Sequence, residues 1–170
     1  MKKLLITAFV LLILGLGGYF AYDQLGGNSP ITLSLVNTPP ETLAGRTFRG
    51  APLDKGLEQA FRSIESLKSL HPGSYLHTLY YVEPAGKRDT LEVFVGINLP
   101  FGAPEMESKK FTETRYILAQ VSSNKWVMPG PNTIKEKIQE YAEANNLTLS
   151  GYYIDKIIGE TEVHVIAPLR

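Results

Sequence analysis

Two stretches of this sequence decide its fold: "LYYVEPAGKRDTLEVFVG" (Leu79–Gly96) and "GYYIDKIIGETEVHVI" (Gly151–Ile166). Each carries a pair of tyrosines, then a turn-rich segment, then a run of alternating apolar residues. The matching tetrapeptides are Tyr80–Glu83 with Tyr152–Asp155 and Glu92–Val95 with Glu162–Val165. The segment between the matching parts is shorter in the second copy, as expected of a loop that joins two strands. The pattern therefore predicts a β-hairpin that occurs twice.

An amphipathic helix is predicted before each hairpin, because apolar residues there recur with a period of about 3.6. The stripe consists of Leu53, Leu57, Phe61 and Ile64 in the first half and of Ile134, Ile138 and Tyr141 in the second. Thr133 and Glu136 have the spacing of a capping box, so the second helix is expected to begin there. Strands are predicted in front of the helices, within residues 31–50 and 114–122.

The order strand, helix, strand, strand is thus written twice. We expect an α+β domain of two pseudo-symmetric halves, residues 31–100 and 111–170, that form an antiparallel sheet with two helices on one face. Side chains alternate across a strand. One apolar side of Leu91–Leu99 should therefore pack beneath the helices, and the other side should stay uncovered.

The uncovered face is predicted to be the binding surface, because it combines aromatic rings with carboxylates and would enclose a cleft between the halves. Carboxylates in an aromatic wall favour a flat cationic ligand through Coulomb attraction and cation–π contact. A one-residue shift of register would exchange the two members of each tyrosine pair on this face. With Trp126 on a loop at the helix entrance, the candidate ligand-binding residues are Tyr81, Glu92, Phe94, Trp126, Tyr153, Asp155, Glu162 and His164.

The N-terminal segment Leu4–Tyr22 contains no charged residue and is just long enough to cross a hydrocarbon core of about 30 Å. Tyr19 stands where a signal-cleavage site needs a small residue, so an uncleaved anchor is favoured over a cleaved signal. Lys2 and Lys3 should stay on the cytoplasmic side. The sequence therefore predicts a single-pass transmembrane helix at residues 1–22, a flexible stalk at 23–30 and an extracytoplasmic domain at 31–170 of a cell-membrane protein.

Composition argues against several classes of protein. The chain has no cysteine, which excludes disulfides and a thiol nucleophile. Its three histidines are scattered, and it contains neither a phosphate loop nor a nucleophile elbow. Outside residues 1–22, which hold two lysines and no acid, 15 basic residues face 17 acidic ones. We therefore expect no metal, no cofactor and no nucleic-acid partner.

These features resemble the GyrI-like small-molecule-binding domain: the doubled order, "LYYVEP" (Leu79–Pro84) in the first hairpin and "TEVHVIAPL" (Thr161–Leu169) at the last strand. In that family the domain serves as the drug-sensing module of some bacterial transcription activators, as the gyrase inhibitory protein and as the body of a membrane-anchored receptor. The resemblance implies a groove between the halves that takes amphipathic, often cationic, small molecules. Drug-binding members place a glutamate on the penultimate strand, whereas here that region reads "GYYIDK" and the nearest acid is Asp155. The activators' DNA-binding helices have no counterpart in this sequence.

Three functions are compatible with the sequence. The favoured one is a membrane-tethered module that holds a small amphipathic molecule in the cleft between the halves. The second is a hydrolase of a reactive small molecule, with Glu92 or Glu162 as general acid or base. The third is a protein-interaction scaffold whose pocket has closed. Turnover of a ligand would favour the hydrolase, and large side chains filling the cleft would favour the scaffold.

Overall fold

The computed structural model describes residues 2–25, 28, 31–83, 86, 89–124 and 126–170. These residues form three helices and eight strands. In chain order they are α1 Lys2–Gln24, β1 Thr32–Val36, β2 Leu43–Gly50, α2 Lys55–Leu70, β3 Leu76–Val82, β4 Leu91–Asn98, β5 Glu107–Lys109, β6 Tyr116–Ser122, α3 Pro131–Ala144, β7 Ile154–Ile157 and β8 Glu162–Pro168. Half of the predicted stalk, and most of the first hairpin turn, lie outside the described residues.

The eight strands form one antiparallel sheet in the order β1-β6-β8-β7-β3-β4-β2-β5. One half consists of β2, α2, β3 and β4, and the other of β6, α3, β7 and β8. The halves meet at a seam, where β3 pairs with β7. The predicted α+β class is confirmed, and the equal order of elements in the two halves fits the predicted duplication.

Each of the two edge strands pairs with the half of the domain that is farther from it in the sequence. β1 pairs with β6 of the second half, with Thr32 opposite Gln120. β5 precedes the second half in the chain yet pairs with β2 of the first half, with Leu43 opposite Lys109. The predicted first half therefore lends its leading strand to the second half, which local sequence patterns did not indicate.

The helices α2 and α3 both begin at residues that differ from the helix starts predicted from the sequence. Asp54 caps α2, and its carboxylate accepts a hydrogen bond from the Gly56 N–H at 2.7 Å. Leu53 precedes this cap and is exposed, so its place on the helical stripe was wrong. α3 begins at Pro131, two residues before the expected start at Thr133. Proline suits the first turn, because an N–H there would have no partner within the helix.

The helices α2 and α3 pack on the same face of the sheet, as predicted. Ile64 of α2 packs with Leu76, Leu91, Val93, Val95 and Ile97 of the sheet. Ile134, Ile138 and Ala142 of α3 pack in a second cluster with Val165, Ala167 and Leu169. Burying each valine, leucine or isoleucine of these clusters contributes about 1.5–3 kcal/mol to stability.

The face away from α2 and α3 was predicted to be uncovered, and near the seam this is wrong. A third buried cluster there consists of Leu43, Leu79, Phe94, Ile154 and Ile166, with Phe111, Tyr116, Leu118 and Tyr152 packed against it. Phe94 is only 1% exposed. Its ring lies so close to Gly45 and Gly96 that a Cβ on either would stand 2.7 Å from a ring carbon. Phe94 is therefore part of the core.

The N-terminal segment is helical, and the apolar side chains of Phe9, Leu14 and Phe20 are exposed on α1. Within the described residues, no helix has both the length and the apolar character needed to cross a membrane. The transmembrane helix expected at residues 1–22 is therefore not supported.

Candidate ligand-binding cleft

The two tyrosine pairs meet at the seam. β3 and β7 run antiparallel with Leu79 opposite Ile154. Tyr80–Tyr81 follow Leu79 at the same end of the seam at which Tyr152–Tyr153 precede Ile154. Residues far apart in the chain are thus brought side by side, because antiparallel pairing places the end of one strand next to the start of its neighbour.

The repeated tyrosine phrase does not mark equivalent positions in the two halves. Val93 and Val163 match in the two sequence copies. Tyr80 lies opposite Val93 in the first hairpin, whereas Ile157 lies opposite Val163 in the second. Tyr152 is therefore not the spatial counterpart of Tyr80. The two tyrosine pairs are neighbours across the seam and are not related by the pseudo-symmetry of the two halves.

The register of the second hairpin is shifted by one residue from the predicted one. Tyr153 packs against the α3 cluster on the helix face, and Tyr152 belongs to the cluster on the opposite face. The Tyr152 ring stacks on Phe111 with centroids 6.2 Å apart and an interplanar angle of 21°. Asp155 lies on the same face as Tyr153, so it too faces the helices.

In the first hairpin a β-bulge separates Tyr80 from Val82. Tyr80 shares the helix face with its partner Val93, and Tyr81 is the extra residue of the bulge. A bulge bends the strand and re-aims a side chain. Tyr81 is 44% exposed and contributes to the cavities on both faces of the sheet.

A cleft of about 700 Å³ opens between the first turn of α3 and the sheet beside the seam. It lies on the helix face, not on the face that the sequence indicated. This volume is within the usual range for small-molecule sites, about 300–1,000 Å³. Its walls include the four tyrosines Tyr80, Tyr81, Tyr152 and Tyr153, the apolar side chains of Met128, Ile134, Val163 and Val165, and the charged groups of Glu83, Lys135 and Asp155. We call this the tyrosine cleft.

Three charged groups set the electrostatics of the tyrosine cleft. Burial raises the pKa of the Asp155 carboxyl, the nearby Lys135 ammonium opposes this shift, and the Glu83 carboxylate adds to it. Lys135 makes an ion pair with Glu83 and places Nζ 5.4 Å from the centroid of the Tyr153 ring. Two carboxyl groups thus share one ammonium, and the cleft is negative whenever Asp155 is ionised.

The hydroxyl of Tyr80 supplies a neutral donor at the rim. Burial raises its pKa, and the charges of Asp155 and Glu83 raise it further. Tyr80 therefore stays protonated at neutral pH and can donate a hydrogen bond.

Of the eight residues selected from the sequence, the cleft contains Tyr81, Tyr153 and Asp155 and leaves out Glu92, Phe94, Trp126, Glu162 and His164. Glu92 pairs with Arg49 at 3.3 Å. Glu162 accepts a hydrogen bond from His164 Nε2 at 2.7 Å. Trp126 is 79% exposed on the loop before α3.

Sequence reasoning missed Lys135, Met128 and Tyr80 as members of the cleft. Lys135 falls off the apolar stripe of its helix, where a lysine is usually solvated. The one local signal was the loop "MPGP" (128–131), since two prolines next to a helix start indicate a fixed entrance. Nothing local indicated that this entrance lies beside Tyr80.

A second, smaller cavity of about 260 Å³ lies on the helix-free face. Leu79, Tyr81, Phe111 and Tyr152 line it, with Lys109 at the end of β5, Lys110 directly after that strand, and Glu113 beyond them. Burial raises the pKa of the Tyr152 hydroxyl, and the adjacent Glu113 carboxylate raises it further. We call this the lysine cleft.

His77 is the most buried titratable group on the helix-free face, with 1% of its surface exposed. Its Nδ1–H donates to the Tyr75 carbonyl oxygen at 2.9 Å, whereas Nε2 has no hydrogen-bond partner among the described residues. Glu41 lies 3.9 Å from Nε2 and accepts a 2.6 Å hydrogen bond from Lys156. Burial lowers the pKa of His77 to about 4. The ring is therefore neutral at pH 7.

No family model matches this sequence, and no curated protein matches it either. Solved structures do share its fold. An uncharacterized conserved protein from Listeria innocua superposes with a TM-score of 0.61 at 8% identity, covering 89% of this chain and 98% of the other. A protein from Listeria innocua described as a hydrolase gives 0.60 at 8% identity, with the same coverage. EcmrR in complex with DNA gives 0.56 at 12% identity, covering 99% of this chain and 69% of EcmrR.

At such low identities these likenesses establish the fold alone. They are consistent with a GyrI-like fold, and membership of that family stays a prediction. The absence of a nucleic-acid partner likewise stays a prediction.

Proposed function

We propose that the tyrosine cleft binds a flat, amphipathic small molecule that carries a positive charge. The observation that carries this proposal is an open volume of about 700 Å³ in which tyrosine rings surround a partly buried carboxyl, that of Asp155.

The shape of the cleft favours a flat ligand. Tyr80 and Tyr153 present ring surfaces from two neighbouring strands, and Met128 supplies an adaptable apolar wall from the loop before α3. Aromatic rings offer a large contact area at low entropic cost, and methionine adjusts to irregular ligands. These groups support the binding of planar ring systems over a range of sizes.

The charge of the cleft favours a cation. Lys135 already pairs with Glu83, and among the described residues Asp155 makes no ion pair within 4.0 Å. Its carboxyl has a hydrogen bond to Thr78 and a longer-range attraction to Lys135. A buried carboxylate without a paired cation is costly, which is why its pKa rises. A ligand cation would pair with Asp155 and recover this cost, and the adjacent tyrosine faces would add cation–π attraction.

A hydrolase is the second candidate, and the raised pKa of Asp155 favours it. A carboxyl with a raised pKa in a cleft can act as a general acid or base near neutral pH. The role proposed for Glu92 or Glu162 would pass to Asp155, because neither glutamate lines the cleft. The closed-pocket scaffold is disfavoured by the open volume.

The decisive experiment compares two dyes that share a xanthene core and differ in charge, cationic rhodamine 6G and anionic fluorescein. We expect fluorescence titration of the full chain to give at least a tenfold tighter Kd for rhodamine 6G, since one ion pair in a partly buried site is worth about 1.4 kcal/mol or more. Equal affinity for the two dyes, or no binding of either, contradicts the proposal.

Two carboxylate variants locate the site. Asp155→Asn keeps the side-chain shape and should abolish the preference for the cation. Glu162→Gln makes the same chemical change outside the cleft and should leave both affinities unchanged. Mass spectrometry of the recovered rhodamine ester distinguishes the two candidate functions, because cleavage by wild type but not by Asp155→Asn would establish hydrolysis.

The cellular location stays a prediction from the uncharged segment Leu4–Tyr22 and the lysines before it. We propose a domain held outside the cytoplasm at a cell membrane. Carbonate extraction of membranes and protease protection of intact cells test it. Recovery of the chain in the extracted supernatant contradicts membrane attachment, without affecting the proposal for the cleft.

A further inference from the structure

We propose that the lysine cleft is a second ligand site, selective for a small aromatic carboxylate. It lies on the opposite face of the sheet from the tyrosine cleft. Tyr81 and Tyr152 border both clefts, but the inference rests on Phe111, Lys109 and Lys110, which line only the lysine cleft. It does not require the function proposed above.

The lysine cleft has the shape of a site for one or two fused rings. Its volume is about 260 Å³, and its apolar floor is the buried side chain of Leu79. Phe111 and Tyr152 form one wall as a stacked pair, and Tyr81 contributes another. A planar ring entering between these walls would continue the existing stack, an arrangement that contributes about 0.5–1.5 kcal/mol per aromatic pair beyond area burial.

The charge at this cleft is positive. Lys109 Nζ lies 5.1 Å from the centroid of the Tyr81 ring, and Lys110 lines the cleft beside it. Within the part of the chain that the structure describes, neither lysine makes an ion pair with a carboxylate. Glu113 also lines the cleft, but it already accepts a 3.1 Å hydrogen bond from the Thr112 N–H. The lining of the cleft thus holds two lysines and one carboxylate that is already engaged.

These features specify the class of ligand. The aromatic walls select a planar ring, and the uncompensated ammonium groups at the rim select an anionic substituent on that ring. Carboxylate oxygens accept charge-assisted hydrogen bonds from lysine. The same charges would repel the cation proposed for the tyrosine cleft, so the two faces of the sheet take ligands of opposite sign.

The experiment uses the full chain with 1-naphthoate and its neutral isostere 1-naphthamide. We expect isothermal titration to show about tenfold tighter binding of 1-naphthoate, since each lysine contact is partly exposed and modest in strength. Lys109→Met with Lys110→Met keeps the side-chain length and should remove this preference while affinity for 1-naphthamide stays unchanged. Lys137→Met, on the exposed side of α3 and outside both clefts, is the matched control and should keep the preference.

Amide chemical shifts then report where 1-naphthoate binds. Perturbation centred on Phe111 and Thr112, with rhodamine 6G unable to compete, supports the second site. Perturbation centred on Ile134 and Lys135, with competition by rhodamine 6G, places the carboxylate in the tyrosine cleft and overturns the inference. Equal affinity for acid and amide, or no binding up to about 1 mM, also overturns it. If rhodamine 6G does not bind, the location of the shift changes alone decides between the two clefts, so the test stands apart from the function proposed above.

Discussion

The two faces of the sheet at the seam use the same four tyrosines differently. On the helix face, Tyr80 and Tyr153 border an open cleft, because the first turn of α3 stands away from the sheet there. On the other face, Tyr81 and Tyr152 lie beside a closed apolar cluster in which Phe94 is buried. We call this second face the closed face because the Phe94 cluster fills its centre, and the smaller lysine cleft lies beside that cluster. The two faces differ in the chain segments that cover them, not in the strand sequence.

This comparison also shows how the charges divide. The open face carries Glu83 and Asp155 against Lys135, and the lysine cleft on the other face carries Lys109 and Lys110 against Glu113. A single layer of backbone thus separates two environments of opposite sign. The packing of the closed face has the larger effect on the stability of the domain.

Replacing the buried ring of the closed face should have the largest effect. Phe94→Ala removes a fully buried phenyl group, so we expect a loss of about 3–5 kcal/mol in the free energy of unfolding. Urea denaturation measures it. Phe101→Ala removes a fully exposed ring and should change stability by less than about 0.5 kcal/mol. A cost below about 1 kcal/mol for Phe94→Ala would mean that this face is not closed.

The buried histidine of the closed face should make stability depend on pH. Its pKa falls from 6.5 to about 4 on folding, so the unfolded chain binds the proton more tightly. The stabilisation is present above pH 6.5 and is lost as pH falls towards 4, by about 3 kcal/mol. His77 faces Glu41 and Lys156, and the pKa of Glu41 is itself lowered: burial, which raises it, is outweighed by Lys156, His77 and Asn98.

Because Glu41 also loses stabilisation on acidification, the test needs a histidine-specific control. His77→Asn retains a donor for the Tyr75 carbonyl and should flatten the curve of unfolding free energy between pH 4 and 6.5. The exposed His71, replaced in the same way, should leave the curve as in wild type. An unchanged slope in His77→Asn would assign the effect to Glu41 alone.

The glycine beneath Phe94 should be intolerant of a methyl group. In Gly45→Ala the new Cβ would stand 2.1 Å from the Val95 carbonyl oxygen. We expect a cost of about 1–3 kcal/mol by thermal or chemical denaturation, because a tightly packed strand cannot yield without displacing its neighbour. Gly159→Ala is the matched change at a position with no atom within 4 Å, and it should be close to neutral.

The smallest effect on stability is expected on the open face. Burial raises the pKa of Asp155, so its ionisation costs folding free energy. The cost is absent below the ordinary pKa of 3.8 and grows as pH rises through the raised value. Asp155→Asn should therefore gain stability relative to wild type between acidic and neutral pH, as measured by urea denaturation at each pH. A difference that does not vary with pH would contradict the buried carboxyl.

The sequence predicted the hairpins, both helices and the helix-facing side of the sheet, because each depends on local periodicity. Leu91, Val93 and Val95 alternate with polar or aromatic residues, and Ile134 and Ile138 share one helical face. Periodicity does not show which distant segment of the chain packs on the helix-free face of the sheet. The burial of Phe94 by a distant segment was therefore beyond its reach.

The site was predicted less well, for a physical reason that Tyr152 and Tyr153 illustrate. Either tyrosine fits either side of a strand, so local pattern did not fix the register. The partner across the seam fixes it, through Leu79 opposite Ile154. Lys135 enters the cleft for a similar reason, because its neighbours come from the other half of the chain.

The exchanged edge strands have a consequence for folding. Thr32 must find Gln120, and Leu43 must find Lys109, across long intervening chain. Closing such loops costs entropy before any contact repays it, and high contact order slows folding. The hairpins β3-β4 and β7-β8 need only local pairing and can form early. β1 can pair only once β6, from the other half of the chain, is in place, so completion of that margin depends on both halves of the chain having been gathered.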